Sequence, residues 1–301
     1  MTSPDWTAAD LPDQRGRTIV ITGANSGLGL ETARAFVRAG AHVVLAVRDE
    51  TRGAAAADTL AGTGSSEVRK LDLADLASVC AFAEHWDRRP LDVLVNNAGV
   101  MAVPEGRTAD GFEMQIGTNH LGHFALTNLL LPHLTDRVVT VSSVAHRMGK
   151  IDFDDLNWER RRYSRWRAYG QAKLANLLFT LGLQRRLDAA RSPLLALAAH
   201  PGYASTNLQS HSGNALQSAL MAVGNRFFAQ SDRMGALPSL YAASSDLPGA
   251  SYVGPNGLRE SRGFPTLVGR SDRASDTAAA DRLWELSERL TGTPFGLDKA
   301  A

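Results

Sequence analysis

The sequence predicts an α/β domain of doubly wound architecture, a parallel sheet covered by helices on both faces. Three observations carry that prediction. Short runs rich in Val, Ile and Leu recur along the first two thirds of the chain, too uniformly apolar for strands with one face in water. Amphipathic stretches of helical length separate them. A glycine-rich turn, residues 23–29, joins the first apolar run to the first amphipathic stretch. No internal repeat or low-complexity linker interrupts the alternation, so a single domain is expected over residues 1–301.

Residues 18–22 and 41–47 read as the first two buried strands, and 92–96 and 137–142 as the next two. The run 193–199 is a fifth, richer in Ala and Leu than in Val, and 68–71 is a short extra candidate. Helical periodicity covers 28–39, 74–86, 118–134 and 169–188. Residues 203–301 carry scattered Gly, Pro and Ser, and are expected to form a variable cap with a last strand and helix.

Composition narrows the function. With 301 residues, 44% of them hydrophobic, the chain has mass for a full core. A net charge of +1 provides no global attraction to nucleic acid or to anionic membranes. The single cysteine, Cys80, excludes an internal disulfide and a cysteine-rich metal site. It reads as a small apolar filler on a helix, a reactive thiol being the alternative. The first 17 residues are polar, and no later run approaches the ~20 apolar residues that cross a bilayer. A soluble, cytoplasmic protein without a membrane anchor is the expectation.

The glycine turn is the first candidate site. Gly23, Gly27 and Gly29, with Asn25, Ser26 and Leu28 between them, stand where a strand ends and a helix opens. There backbone amides can approach a pyrophosphate, and the helix dipole favours an anion. Cofactor choice turns on the end of the second strand, Val47-Arg48-Asp49. A carboxylate there would take a ribose 2′-hydroxyl, and arginine suits a 2′-phosphate. With Val47 at that place and Arg48 following, NADP(H) is favoured; a one-residue slip would present Asp49 and make NAD(H) possible. Tyr169 and Lys173 form the second candidate site. They lie four residues apart in a helical stretch, hence on one face, where a cation favours the phenolate of a general acid/base.

Further motifs appear in order: Asn96-Asn-Ala-Gly99, Gly117-Thr-Asn119-His, Val141-Ser-Ser143 and Tyr169-Gly-Gln-Ala-Lys173. Together with the glycine turn they resemble the short-chain dehydrogenase/reductase family over residues 18–206. Asn119-His-Leu-Gly-His-Phe124, Val141-Ser-Ser-Val-Ala-His146, Lys150-Ile-Asp-Phe-Asp-Asp-Leu156 and Ser251-Tyr-Val-Gly-Pro255 resemble its retinol dehydrogenase-like branch. The resemblance implies a Rossmann-type domain with a core of about 15–205, and a substrate lid and C-terminal elements over 206–301. It implies hydride transfer between a nicotinamide and an alcohol or carbonyl, on a substrate that is a retinoid, steroid or other lipophilic molecule. Tyr169 would move the proton, Ser143 would bond the oxyanion, Lys173 would bind the nicotinamide ribose and lower the Tyr169 pKa, and Asn119 would hold a proton-relaying water. Asp72 with Leu73 would meet the adenine, although Asp72 also reads as a helix N-cap before Ala74. Asn96, Ala98 and Gly99 would line the cofactor, and Pro201, Gly202 and Thr206 belong to the turn that meets the carboxamide.

Of the two adjacent serines Ser143 is preferred over Ser142, since strand alternation lets only one face the substrate. Tyr163 is a decoy, because Arg167 stands four residues later. The 26 residues from Ser143 to Tyr169 exceed the common family spacing and point to an insertion. His123, His146 and His200 have no carboxylate or cysteine at ligand spacing and read as structural, so no metal is expected. Arg160, Arg161, Arg162, Arg165 and Arg167 read as a solvated face, or as a handle for an anionic substrate group. Residues 215–228, with Leu216, Leu220, Met221, Val223, Phe227 and Phe228, read either as a lid over an apolar substrate or as core of a C-terminal helix. Family members pair through helices matching 118–134 and 169–188, which implies a homodimer or homotetramer unless the C-terminal region blocks one interface. The rival readings are a silent NADP-binding regulator of the same fold, and an epimerase or dehydratase of the extended branch.

Overall fold

The structure, a computed structural model, describes residues 5–202 and 231–297. Among them eight strands form one sheet: β1 (Thr18–Thr22), β2 (His42–Val47), β3 (Ser65–Lys70), β4 (Leu91–Asn96), β5 (Leu134–Val141), β6 (Leu195–Ala199), β7 (Tyr252–Pro255) and β8 (Pro265–Leu267). Their order is β3-β2-β1-β4-β5-β6-β7-β8, parallel except for β8, which runs antiparallel to β7. The order reverses between β1 and β4, and a doubly wound sheet opens a ligand crevice outside the strand ends at that point.

The helices are α1 (Gly27–Arg38), α2 (Glu50–Ala57), α3 (Leu76–Glu84), α4 (residues 114–130), α5 (Arg165–Ala189), α6 (Asp232–Ser244) and α7 (Thr277–Thr291). On one face of the sheet Phe36 of α1 and Leu240 and Tyr241 of α6 pack on Ile19, Ile21, Val43 and Leu45. On the other, Phe124 of α4, Phe179 and Leu183 of α5 and Trp284 of α7 pack on Val20 and Leu94. Both faces are dry, which explains the uniformly apolar strands.

Several boundaries differ from expectation for identifiable reasons. The strand expected at 68–71 is β3 and starts at Ser65, because pairing with His42 extends a polar edge whose sequence carries no apolar signal. Glu67 on that edge is ion-paired to Arg69 and Arg89. Helix α2 was absent from the pattern reading; its alanines give little amphipathic contrast, and Asp49 caps it by accepting from the Arg52 amide at 3.0 Å. Helix α3 begins at Leu76 with Asp75 as its cap, so Ala74 lies outside it and Asp72 is not an N-cap. The helix expected to reach residue 134 ends near Pro132, and β5 starts at Leu134. Beyond residue 230 there is one strand more than expected, β8.

Helix α7 buries Ala280, Leu283, Trp284 and Ser287 at helical spacing against α5 and α4. Every residue of α5 from 168 to 180 is buried, and so are most of α4. The chain's own C-terminal helix thus covers the two helices through which pairing was expected. No helix among the described residues is long and apolar enough to cross a membrane. The proposed lid, 215–228, and Thr206 lie outside the described residues.

Candidate active site

The phosphate-loop candidate sits at the end of β1. Gly23 and Gly27 have left-handed backbone, φ +67° and +56°, which favours glycine. A Cβ on Gly29 would stand 2.6 Å from the Gly23 carbonyl and 2.6 Å from the Asn97 amide, so the loop is closed to any side chain there. Ser26 precedes α1 without a side-chain cap, and the first turn holds no acid. Uncapped amides at the N-terminus of a 12-residue helix suit an anion, so the loop fits a pyrophosphate. Thr22 locks the loop to the end of β4: its hydroxyl accepts from the Asn97 and Ala98 amides, both at 2.9 Å, and its carbonyl accepts from Asn97 Nδ2 at 2.8 Å. Asn96 turns inward and donates to Thr127 at 2.9 Å, so Asn97, not Asn96, presents its side chain to the loop.

At the end of β2, Val47 is buried and Arg48 is exposed, while the Asp49 carboxylate is occupied in capping α2. The Lys70 ammonium bonds the Arg48 carbonyl, so this rim is basic. Asp72 accepts from the Ala74 amide at 3.0 Å, and Leu73 beside it is buried. Gly202 ends β6's turn at φ +69°, its amide on His200 Nδ1 at 3.2 Å, with Pro201 beside it.

The remaining candidates converge beside this crevice. A Cβ on Gly99 would meet Asn119 Oδ1 at 3.0 Å and Lys173 Nζ at 3.7 Å. Asn119 lies in a π-helical turn, Gly117–Leu121, inside α4, a widening common at functional sites. Its side chain docks on Val100, accepting from the amide at 2.8 Å and donating to the carbonyl at 2.9 Å. Lys173 Nζ and Asn176 Nδ2 both donate to the Val141 carbonyl, at 2.9 and 3.0 Å, tying α5 to the end of β5. Ser142 donates to the Lys173 carbonyl at 2.7 Å and faces away, whereas Ser143 stands close enough to the Tyr169 phenol to lower its pKa.

Burial dominates the electrostatics. It pushes the Tyr169 phenol up to about 12, with the Ser143 hydrogen bond acting the other way, and it draws Lys173 down to about 8. The expected lowering of the Tyr169 pKa by Lys173 is absent here. The ammonium stands 5.8 Å from the ring centroid and is engaged by the Val141 carbonyl, while the phenol loses its water.

Two further side chains lie beside Tyr169 and Gly170. Trp166 packs edge-on against Tyr169 with ring centroids 6.2 Å apart, yet is 43% exposed. Met148, 57% exposed, lies against Gly170. The position of Trp166, three residues before Tyr169 on one helix, was a usable signal. The arginine run divides: Arg161 stacks on Trp158 and pairs with Asp152 and Asp155, while Arg160, Arg162, Arg165 and Arg167 are exposed. Tyr163 bonds Gln115 and Glu113 at 2.8 and 3.1 Å, away from Lys173. His146 bonds the Ser143 carbonyl at 2.7 Å, and His200 faces Glu260 at 3.1 Å.

Known proteins match this arrangement. A family model described as short chain dehydrogenase covers residues 17–217. The chain is 44% identical to Homo sapiens retinol dehydrogenase 12 over 297 residues, 95% of this chain and 89% of that protein. It is 41% identical to Mus musculus polyprenol dehydrogenase over 305 residues, 97% of this chain and 89% of that one. A crystal structure of an uncharacterized protein from Mycobacterium paratuberculosis superposes with a TM-score of 0.84 at 59% identity, covering 97% of this chain and 99% of that chain. A Beutenbergia cavernae protein with NADP bound at low occupancy aligns at 28% identity and a TM-score of 0.57, over 77% of this chain and 92% of that chain. With its motif residues gathered at the sheet's switch point and this likeness along nearly its whole length, the chain belongs to the short-chain dehydrogenase/reductase family, in the retinol dehydrogenase-like branch.

Proposed function

We propose that the protein is an NADP(H)-dependent oxidoreductase that interconverts a carbonyl and a primary or secondary alcohol on a lipophilic small molecule. The observation that carries this reading is the convergence of Asn119, Ser143, Tyr169 and Lys173 beside an uncapped helix N-terminus fronted by glycines. Residues 23–29 would hold the pyrophosphate, Arg48 the 2′-phosphate, Asp72 and Leu73 the adenine, Ala98 and Gly99 the ribose side, and Pro201 and Gly202 the carboxamide. The nicotinamide, when bound, supplies or accepts the hydride.

The rest belongs to the chain's own groups. Tyr169 is protonated throughout the ordinary pH range and donates its phenolic proton to the carbonyl oxygen in reduction. Ser143 donates a hydrogen bond to the oxygen as negative charge develops on it. Lys173 would bind the nicotinamide ribose, and Asn119 would hold the water through which the proton is replaced. Exposed Trp166 and Met148 beside Tyr169, and relatives named for retinol and polyprenol, support an apolar substrate.

Lys173 carries its charge below its pKa and loses it above. With that pKa at about 8, kcat/KM for carbonyl reduction is expected to hold level below pH 8 and decline above it. Lys173→Arg, charged at every working pH, should lack this descending limb. A limb unchanged in that variant would assign it to another group.

The reading is tested by titrating the protein with NADPH and NADH in parallel, following quenching of tryptophan fluorescence. Tighter NADPH binding is expected, and Arg48→Ala should weaken it roughly 10- to 100-fold, the worth of one charge-assisted contact, with little change for NADH. Equal or tighter NADH binding would overturn the 2′-phosphate assignment. Binding of neither would overturn the cofactor reading.

A further inference from the structure

His123 is buried on α4 and makes two hydrogen bonds that join two parts of the site. Its Nδ1 lies 3.0 Å from the backbone carbonyl of Asn119, and its Nε2 lies 2.9 Å from the Thr22 hydroxyl. Counting donors fixes the direction of this chain. The Asn119 carbonyl can only accept, so Nδ1 carries the hydrogen. Nε2 is then bare and accepts from the Thr22 hydroxyl. That hydroxyl's lone pairs are in turn taken by the Asn97 and Ala98 amides, both at 2.9 Å. Its alternative acceptor, the Val95 carbonyl, is farther at 3.4 Å. Each group is satisfied in one arrangement, with neutral imidazole, and burial keeps the ring neutral by drawing its pKa down to about 4.

The chain runs without a break from the residue that opens the glycine loop to the carbonyl of Asn119. The Asn119 side chain docks on Val100, and what His123 holds in place is the backbone carbonyl at this turn. A carbonyl has two lone pairs, and His123 occupies one. The His123 bond holds that carbonyl, and a Cβ on Gly99 nearby would meet Asn119 Oδ1 at 3.0 Å and Lys173 Nζ at 3.7 Å. We propose that His123 is a positioning residue that aims the Asn119 carbonyl and couples it to the phosphate loop through Thr22. This rests on the reading of the site as a carbonyl/alcohol oxidoreductase.

The test uses three variants and one measurement on the unaltered protein. His123→Phe keeps the ring but removes both hydrogen bonds. His123→Asn restores a donor near the place of Nδ1 and gives up Thr22. Thr22→Val cuts the other end. For His123→Phe, kcat should fall roughly 10- to 100-fold, the scale of a misaimed group, while carbonyl KM and NADPH Kd stay within about threefold. His123→Asn should recover most of kcat, and Thr22→Val should lower kcat and weaken NADPH binding together. Equal losses in His123→Phe and His123→Asn, or a loss in KM alone, would overturn the proposal. In the unaltered protein, with histidine labelled with ¹⁵N, His123 should be a neutral Nδ1–H tautomer from pH 5 to 8, its Nε2 signal moving on saturation with NADPH. An Nε2–H tautomer, or a signal indifferent to NADPH, would overturn it even if every variant fails to fold. If NADPH binds but no carbonyl is reduced by the unaltered protein, the functional reading falls while the tautomer and its response remain to be judged by themselves.

Discussion

Tyr169→Phe should lower turnover by roughly 10²- to 10⁴-fold, the usual contribution of a positioned general acid, with NADPH bound as tightly as before. The substitution removes one oxygen and leaves the packing. The ring is buried, Trp166 meets its face at 6.2 Å, and the Lys173 ammonium stands 5.8 Å from its centroid, contacts that Phe reproduces. The loss should fall on kcat, because the proton moves only in the transition state. Tyr163→Phe is the matched control. Its phenol bonds Gln115 Nε2, the Val103 carbonyl and Glu113, so its loss should lower stability and leave kcat nearly unchanged. Undiminished turnover in Tyr169→Phe would remove the acid/base assignment and leave a nucleotide-binding protein of this fold.

The largest effect on stability is expected from Trp284→Ala, about 3–5 kcal/mol in urea denaturation, the cost of truncating a large buried aromatic. Trp284 is 2% exposed and closes an aromatic cluster. It stacks on Phe179 at 5.8 Å and 10°, meets Phe124 edge-on at 4.8 Å, and has Phe295 against its own edge at 5.9 Å. Arg186 lies over its ring at 4.3 Å, and its indole N–H donates to Glu288 at 2.8 Å. Alanine would leave a void between α7, α5 and α4, the last two of which carry Lys173 and Asn119. A loss below about 1 kcal/mol would mean that α7 does not hold these helices in place. Trp284→Phe, which keeps the ring contacts and gives up the indole donor, should cost markedly less.

What could be read from the residues follows the range of the forces involved. Strands β1, β2, β4 and β5 were legible because both faces are buried, and a continuous Val/Ile/Leu run has no other stable place in a soluble fold. Edge strand β3 and helix α2 were poorly legible, because one is polar along its length and the other is mostly alanine. The π-turn at Asn119 has no local signal. Residues 118–134 read as one helical pattern, and the widened turn coincides with the docking of Asn119 on Val100, in a different element.

The site divides in the same way. Tyr169 and Lys173 were legible because helical spacing alone puts them on one face. Their pKa values were not, since Tyr169 and Lys173 are desolvated by residues far away in the chain. Asn96 was placed along the cofactor by resemblance; its side chain, at the last position of β4, turns to Thr127, and that its neighbour Asn97 braces the loop is visible only in the fold. His123 was legible only as a structural histidine, since its link to Thr22 crosses 101 residues and only the fold displays it.

Hydride transfer between a nicotinamide and a carbonyl would carry an isotopic label from the cofactor to the product. The protein would be incubated with NADPH carrying deuterium at C4 of the nicotinamide and a long-chain or retinoid aldehyde, and the alcohol product analysed by mass spectrometry. One deuterium is expected on the carbinol carbon of the product, and none with Tyr169→Phe over the same interval. Alcohol formed without deuterium from either C4-labelled epimer, or no alcohol from any lipophilic carbonyl despite tight NADPH binding, would contradict it.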